Sequence, residues 1–417
     1  MRSVVKKLIF ISPYFFPAYL IRFSVWGIPF TLLEAFTYVL FGTWAVSRFR
    51  EREAWNWNPR TRHYGVAIFL LIIGASIGAM VAPSFTQLPD GNVIDTQRIA
   101  LGVWKGWIIS PILYFTVLIQ TIKNTHDVQR ILKHFIHSAV ALSGVSYLYA
   151  LMGHGITYDH RLSGLFESAN YLALYIGPAL LLNIHELLNH PKQDREHHIN
   201  VATLTVLAYT LIFTQSYAGL LAVLGAVFLY ILHDMFRNHG SVKKPALALL
   251  GIVMATGLIM ATQWNTPKFQ NFLRFQERSS SSVRMEIYHT SLYMIQKKPW
   301  TGIGLGQFQS QYQINAPKVL GGAPLEWNMP HAHNLFLHHW LNTGIVGLVS
   351  LLFLIALAHQ SFTYPLIALW GVLIHGLFDT PFWKNDLAMI FWLLIACIFI
   401  LQQHANHPAQ KRIHPKR

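Results

Sequence analysis

The sequence predicts an all-α integral membrane protein, a polytopic bundle of about twelve transmembrane helices with one long extracytoplasmic loop. Of its 417 residues, 53% are hydrophobic and only 12% are charged, whereas soluble domains carry about 25% charged residues. Apolar runs close to the length of a membrane span recur from end to end, for example at 67–82 and 344–358. These runs lack the alternation of barrel strands, so we expect helical spans.

The predicted spans give an even number of crossings. They lie at 8–22, 27–46, 64–82, 101–121, 130–151, 166–188, 199–213, 217–236, 245–263, 335–358, 364–378 and 386–402. The basic N-terminal run is interpreted as a retained first helix, because it lacks a clear cleavage site. With both termini in the cytoplasm, 20 of the 32 lysines and arginines fall on that side, as the positive-inside rule requires. The formal net charge of +15 therefore reflects topology and does not indicate nucleic-acid binding.

One predicted loop, residues 264–334, is basic although it lies outside the cytoplasm. It carries seven lysines and arginines against three glutamates. Long loops are exported regardless of charge, so the topology still holds. Two explanations are open: contact with lipid headgroups, or an anionic ligand such as a phosphate or diphosphate. The single cysteine, Cys397, has no intrachain partner, so disulfides play no part.

The loop contains a predicted surface helix that begins near Ser282 and ends before Pro299. Met285, Tyr288, Leu292 and Ile295 recur at helical spacing. Arg284 falls in the first turn, where a cation gains nothing from the helix dipole. It is either a solvated charge or a fork-shaped donor to phosphate oxygens. Three glycines of "PWTGIGLGQF", at 302, 304 and 306, indicate a turn that allows close backbone packing rather than a phosphate loop.

The segment "MPHAHNLFLHH" turns from a polar loop directly into a membrane span. Asn334 is the expected N-cap, which places His333 at a helix N-terminus, where the local field favours a neutral imidazole and attracts an anion. For His338 and His339 we favour packing or headgroup contact. His331 and His333 resemble half a metal site, but no clustered carboxylate is evident nearby in the sequence, so no metal and no cofactor are expected.

Two further outer segments carry polar residues. In "YDHRLSGLFESANYLALYI", Arg161 and Asn170 flank a small turn centred on Gly164, and either headgroup anchoring or substrate contact would explain the arginine. In "HGLFDTPFWKND", Asp379 and Asp386 lie at the outer ends of two spans, and we expect them to pair with nearby cations.

These residues resemble the O-antigen ligase and polymerase superfamily of bacterial cell-envelope glycosyltransferases. The resemblance rests on three segments. They are a loop arginine followed by "PWTGIGLGQF", then "HAHN" followed after nine intervening residues by Gly344 and then Gly347, and "RLSGLFESANYLA". The region that resembles the family core is 155–358.

The resemblance implies transfer of a glycan from a polyprenyl diphosphate carrier to an acceptor hydroxyl at the outer face of the bacterial cytoplasmic membrane. The acceptor is a glycan, a lipid or a protein, and the membrane lipids surround the enzyme. His333 is the implied general base and Arg284 the implied ligand of the donor diphosphate, in an inverting reaction without metal. Residues implied in substrate binding are Arg161, Asn170, Arg278, His331 and Asn334.

One departure from the family pattern affects the second cation. Relatives commonly carry an arginine in a "T-x-S-R-G" segment, but this chain reads "FTQSYAGLL", with Tyr217 at that place. Arg161 or Arg278 is expected to take over the missing charge, or the chain uses a different donor.

Other functions remain open from the sequence. A polysaccharide polymerase or a protein O-oligosaccharyltransferase fits the same motifs and differs only in acceptor. A transporter of a lipid-linked sugar is the alternative from another class, because Glu34 lies within a predicted span and Pro178 interrupts another.

Overall fold

The computed structural model describes residues 2–25, 28–52, 59–189, 195–238 and 280–405, with five single positions between 251 and 270. The described chain is mostly helical. Its α-helices are α1 (Arg2–Ile11), α2 (Leu32–Glu51), α3 (Pro59–Val81), α4 (Thr96–Val103), α5 (Ser110–Thr121), α6 (Thr125–Leu151), α7 (Ala169–Asn189), α8 (Arg195–Phe213), α9 (Tyr217–Asn238), α10 (Ser280–Lys297), α11 (Phe308–Leu320), α12 (Leu335–Ala358), α13 (Leu366–His375) and α14 (Asn385–Ala405). A 3₁₀ segment (Ser12–Leu20) follows α1, and a π-helical segment (Trp104–Ile109) joins α4 to α5.

Six helical segments among the described residues are long and apolar enough to cross a membrane. They are Pro59–Val81, Thr96–Thr121, Ala169–Leu188, Tyr217–Arg237, Leu335–Ala358 and Asn385–Ala405. The chain is therefore a helical membrane protein, while the expected total of twelve spans stays a prediction. The predicted span at 245–263 lies outside the described residues, apart from three single positions.

Helix α14 forms the centre of the bundle. Every residue from Asp386 to Ile400 is buried, and the helix packs against α5, α6, α7, α12 and α13. A helix that is apolar on all sides is stable against other helices and against lipid alike, and the contacts of α14 show that protein covers it on every side.

Contacts among the loops place the helix connections at two ends of the bundle. At the N-terminal end, Arg2 pairs with Glu51 at 2.5 Å, and Lys6 pairs with Asp127 at 2.7 Å. At the other end, here called the loop end, lie residues 82–95, 152–168, 214–216, 298–334 and 376–384. Backbone hydrogen bonds join these loops, for example from Leu162 N–H to the Phe213 carbonyl at 2.9 Å.

Two short hairpins at the loop end were not predicted. Strand β1 (Arg22–Val25) pairs antiparallel with β2 (Ile28–Thr31), and β3 (Phe85–Gln87) with β4 (Val93–Asp95). The first hairpin corrects the expected span at 27–46, because α2 begins only at Leu32. Glu34 consequently lies in the first turn of α2 and not in the middle of a helix. Its side chain accepts a hydrogen bond from Thr31 N–H, completing a capping box.

The described part of the predicted long loop is itself folded. Helix α10 confirms the helix expected between Ser282 and Pro299, and it packs against α11 and α12 around a small core of its own. The expected apolar face is partly wrong. Met285 and Leu292 are exposed, whereas the buried face includes Ile287, Met294 and Ile295, so the core-facing stripe is rotated from the one read in the sequence.

The glycine-rich turn between α10 and α11 packs directly on α12, as its sequence predicted. Gly302 has φ +69°, and a Cβ built there would lie 2.2 Å from the Leu341 carbonyl oxygen. Ile303 N–H donates to that same carbonyl at 2.8 Å. Helix α12 is kinked where the turn crosses it, because Gly344 adopts φ 65° and ψ −172°. The turn thereby anchors the loop region to a membrane helix.

We predict that Gly302→Ala destabilises the protein more than a matched glycine substitution without close neighbours. An alanine at positive φ costs about 1 to 2 kcal/mol, and here its methyl group also overlaps the Leu341 carbonyl. The control is Gly321→Ala, at φ +72° with nothing within 4 Å of the added Cβ. Thermal unfolding in detergent would measure both, and equal losses of stability would contradict a role for close packing.

Candidate functional site

The start of α12 is built as its sequence predicted. Asn334 is the N-cap, and its side-chain oxygen accepts hydrogen bonds from Phe336 N–H and Leu337 N–H, both at 3.0 Å. This cap uses the side-chain oxygen of Asn334, and its amide group donates to the Leu377 carbonyl at 3.2 Å. The Asn334 side chain therefore joins the first turn of α12 to the backbone of the loop after α13. Its expected contact with substrate stays a prediction.

His333, just before this cap, has a left-handed backbone with φ 47°. This conformation is uncommon for a residue with a side chain and persists only where surrounding contacts fix it. The Tyr288 hydroxyl supplies such a contact, since it donates to the His333 carbonyl at 3.0 Å and lies 3.2 Å from the Leu377 carbonyl oxygen. Helix α10, the start of α12 and the loop after α13 thus meet at His333.

A buried carboxylate lies beside the two histidines. Asp379 has a side chain only 1% exposed, and its Oδ1 is 3.7 Å from Nε2 of His331 and 4.0 Å from Nδ1 of His333. Thr380 N–H donates to the same oxygen at 2.9 Å. The sequence had suggested that Asp379 pairs with nearby cations, whereas in the structure its nearest charged or titratable partners are these imidazoles.

The surroundings fix the charge state of this cluster at neutral pH. The pKa of His333 is lowered to about 3, chiefly by burial and further by the neighbouring His331 and Arg284, against the opposing effects of Asp379 and the Phe378 backbone. Burial likewise lowers the pKa of His331. Burial raises the pKa of Asp379, but the imidazoles and the Thr380 hydrogen bond outweigh it and leave a value of about 2. The cluster is therefore an ionised carboxylate beside neutral histidines.

Arg284 lies near these histidines, one helical turn before Tyr288 on α10. Its charge contributes to the lowered pKa of both His331 and His333, so the guanidinium lies within electrostatic range of the cluster. Arg284 and His333 therefore lie at the same end of the bundle, and their catalytic roles stay a prediction.

Arg161 approaches from the loop between α6 and α7. Its Nε donates to the Thr214 carbonyl at 2.8 Å, and its Nη2 donates to the Asn170 side-chain oxygen at 2.6 Å. Its pKa is influenced by Asp159, Asp379 and Tyr217, so the guanidinium lies within electrostatic range of all three. The expectation that Arg161 replaces an arginine at the position of Tyr217 stays a prediction.

A further cation, Lys384, was not singled out from the sequence. Its side chain is buried, with Nζ 3.8 Å from the ring centroid of Tyr171 and 4.4 Å from that of Phe166. Among the described residues, no group accepts a hydrogen bond from this Nζ. Burial lowers the pKa of Lys384, and nearby carboxylates partly restore it. The signal in the sequence was a lone lysine in an otherwise apolar and aromatic outer segment.

The remaining predicted residues divide into two groups. His338 and His339 are buried, where they pack against Trp383, as expected for core histidines. Arg278 lies outside the described residues.

The expectation that no carboxylate lies near His331 and His333 was wrong, because Asp379 lies beside both histidines. Donor atoms of His331, His333 and Asp379 all lie within 4.8 Å of one another, an arrangement that could hold a divalent ion. The expectation of metal-free chemistry stays a prediction.

The fold and this site define a helical membrane protein with a site of histidines, arginines and a carboxylate at one end of its bundle. Residues 202–352 match the family model described as O-Antigen ligase, so this part of the chain is similar to that family. The matched segment includes Arg284 and His333, while Arg161 and Asp379 come from outside it. No curated protein sequence matches the chain.

Proposed function

We propose that the chain is a glycosyltransferase that moves a glycan from a polyprenyl diphosphate carrier to an acceptor hydroxyl. The observation that carries this proposal is the position of His333 at the loop end of the bundle, with its ring 4.0 Å from Asp379 and its carbonyl hydrogen-bonded to Tyr288, one helical turn after Arg284. The family match agrees with a glycan ligase or polymerase. We place the loop end outside the cytoplasm, because this orientation leaves most basic residues on the cytoplasmic side.

In the proposed reaction, His333 accepts the proton of the acceptor hydroxyl. The acceptor oxygen bonds to the anomeric carbon of the donor sugar, while the bond from that carbon to the diphosphate oxygen breaks. The single displacement inverts the anomeric configuration. General base assistance of this kind contributes about 10²- to 10⁴-fold to the rate.

Two features of the site suit this reaction, one at the base and one at the leaving group. His333 gains a positive charge when it accepts the proton, and the ionised Asp379 at 4.0 Å stabilises that charge. The departing diphosphate gains negative charge, which Arg284 and Arg161 would offset by charge and hydrogen bonding. Asp379 thus acts on His333 as a positioning and electrostatic partner, without contacting the substrate itself.

The alternatives within the family differ in the acceptor. A polysaccharide polymerase uses the hydroxyl of a second glycan, and a protein O-oligosaccharyltransferase uses that of serine or threonine. No feature of the described loop end favours one acceptor over another, and the same base and cations would serve each.

The structure gives local explanations for the two features that had suggested a transporter. Glu34 caps the start of α2 and lies 3.4 Å from Lys105, instead of standing alone within a span. Pro178 lies inside α7, which continues as one helix past it. Glu34 and Pro178 therefore give no support to a transporter, and we favour the glycosyltransferase.

We predict that His333→Ala lowers the rate of glycan transfer at least 100-fold in protein that still inserts into the membrane and folds. The loss follows from removal of the base. The measurement is transfer from a lipid-linked oligosaccharide in proteoliposomes, with amounts of folded protein matched by size-exclusion chromatography. His289→Ala is the matched control, since His289 is an exposed histidine of α10 near the same site.

Activity of His333→Ala equal to that of the wild type would remove the base assignment. A chelator provides the second arm of this test. If EDTA abolishes wild-type transfer and Zn²⁺ or Mn²⁺ restores it, the three clustered donors hold a metal and the metal-free mechanism is wrong.

We predict that Arg284→Lys lowers transfer at least tenfold although the charge is kept. A lysine presents a point charge, whereas an arginine can hold two phosphate oxygens at once. Comparing KM for the lipid-linked donor with kcat separates loss of binding from loss of leaving-group stabilisation. Lys297→Arg on the same helix is the control. Unchanged kinetic constants in Arg284→Lys would exclude bidentate contact.

We predict that kcat/KM for the donor stays level between about pH 5 and pH 8. The pKa of His333 is lowered, so the free enzyme keeps a neutral base throughout this range. A bound diphosphate adds negative charge and raises this pKa, so kcat should fall at a higher pH than kcat/KM does. A kcat/KM profile that falls tenfold per pH unit below about pH 6.5 would show an ordinary imidazole instead.

A further inference from the structure

The buried ammonium of Lys384 lies on the same loop as Asp379, but the proposed reaction makes no use of it. Lys384 is 8% exposed, and its Nζ makes no hydrogen bond with any residue that the structure describes. A charge removed from water costs free energy unless other groups compensate it. The position of this lysine deep in the loop end therefore needs an explanation of its own.

Three aromatic rings, here called the cage, surround the ammonium. Nζ lies 3.8 Å from the ring centroid of Tyr171, 4.4 Å from that of Phe166 and 4.8 Å from that of Tyr19. A cation over the face of a ring is attracted by the negative charge of that face, more strongly where water is excluded. The rings belong to α7, to the loop before it and to the 3₁₀ segment after α1. Lys384 therefore ties these three segments to the loop after α13.

Charged groups around the cage act on the lysine from a greater distance. Burial lowers the pKa of Lys384, and the charge of Arg22 lowers it further. The carboxylates of Asp386, Glu167 and Asp379 act in the opposite direction and favour the ammonium. In the described part of the chain none of these carboxylates accepts a hydrogen bond from Nζ. The groups in direct contact with the ammonium are therefore the rings of the cage.

Tyr171 also packs against His331, so this ring joins the cage to the histidine cluster. The ring centroids of Tyr171 and His331 are 6.2 Å apart, with an angle of 60° between the planes, an edge-to-face arrangement that aromatic rings prefer. Among the ring contacts of the described chain, Phe166 packs on Tyr19 and Tyr175 and not on His331. The cage thus reaches the cluster through Tyr171.

The orientation of His331 bears on the proposed base. His333 N–H donates to Nδ1 of His331 at 3.4 Å, and Nε2 of His331 lies 3.7 Å from Oδ1 of Asp379. In a neutral imidazole the nitrogen that accepts carries no proton, so the proton of His331 is on Nε2 and faces the carboxylate. A turn of the ring would remove both interactions. His331 therefore helps to fix the left-handed backbone of His333.

We propose that Lys384 is a positioning residue of the candidate site: through Tyr171, it holds His331 in the orientation that fixes the backbone of His333. Lys384 does not contact the substrate, and the kinetic part of this inference rests on the proposed function. Without the ammonium, the Tyr171 ring is free to move and His331 turns away from His333. The loss falls on the rate rather than on donor binding, because a misplaced base acts on the transition state.

The first test is transfer in proteoliposomes by Lys384→Met, which replaces the lysine with a neutral side chain of similar length. We expect kcat to fall at least tenfold, while the KM for the lipid-linked donor changes less than twofold. Phe166→Leu is the matched control, because it removes a ring of the same cage, and its kcat should fall less than threefold. Equal losses in the two variants, or a tenfold rise in KM at unchanged kcat, would overturn the proposal.

A double variant tests whether Lys384 acts through Tyr171. In that case Tyr171→Leu and Lys384→Met/Tyr171→Leu have the same kcat within twofold, whereas independent effects multiply. Tyr171→Phe should stay within threefold of the wild type, because the ring remains and only the hydroxyl is lost. Multiplied losses in the double variant, or a loss in Tyr171→Phe as large as in Tyr171→Leu, would contradict the proposed path.

Histidine labelling with diethyl pyrocarbonate, located by mass spectrometry, supplies a readout that needs no catalysis. His331 is 8% exposed, and we expect its labelling to rise at least threefold in Lys384→Met but not in Phe166→Leu. His339, fully buried against Trp383, reports general loosening, and its labelling should stay unchanged. Equal labelling of His331 in wild type and Lys384→Met, or a parallel rise at His339, would refute the positioning role.

The two readouts separate this inference from the proposed function. If wild-type protein transfers no glycan, the proposed function fails, and the labelling alone decides whether Lys384 positions His331. If Lys384→Met does not fold, Tyr171→Leu is compared with Tyr171→Phe in the same labelling experiment. Increased labelling of His331 in Tyr171→Leu alone supports the proposal, and equal labelling in both variants overturns it.

Discussion

The buried carboxylate of Asp379 is the constraint around which the loop end is arranged. An ionised group so deeply buried is stable only with close polar partners, and here these are His331, His333 and the Thr380 backbone. Satisfying it brings the loop after α13 against the start of α12. The Leu377 carbonyl of that loop then receives the Asn334 amide and lies within reach of the Tyr288 hydroxyl. One buried charge thus holds three segments, and the left-handed backbone of His333 follows from their meeting.

Much of this could be predicted from the sequence, because it depends on local patterns. Long apolar runs located the six described segments that could cross a membrane, and the Asn334 cap and the loop helix carrying Arg284 follow from neighbouring residues. The capping box of Thr31 and Glu34 was also readable in "TLLE" and was missed, because an apolar run appeared to begin earlier. The β1–β2 hairpin that precedes it is too short and too apolar to stand out from the predicted span.

The partnership of Asp379 with the histidines could not be predicted in the same way. It depends on α13 returning beside the start of α12, which no local pattern encodes. The buried face of α10 likewise depends on its packing against α11 and α12, which no local pattern encodes. The sequence placed Asp379, His331 and His333 at the outer ends of predicted spans. Their pairing follows from how the helices pack.

The two arginines at the loop end differ in what they can offer an anion. Arg161 uses Nε for the Thr214 carbonyl and Nη2 for Asn170, so its orientation is fixed and two of its nitrogens already donate within the protein. Its contribution to a diphosphate would be chiefly a fixed charge, within electrostatic range of Tyr217, where relatives commonly carry an arginine. Bidentate recognition in the proposed reaction therefore falls to Arg284, one helical turn from the tyrosine that fixes His333. Because the base and this arginine are linked through α10, a shift of that helix would displace both together.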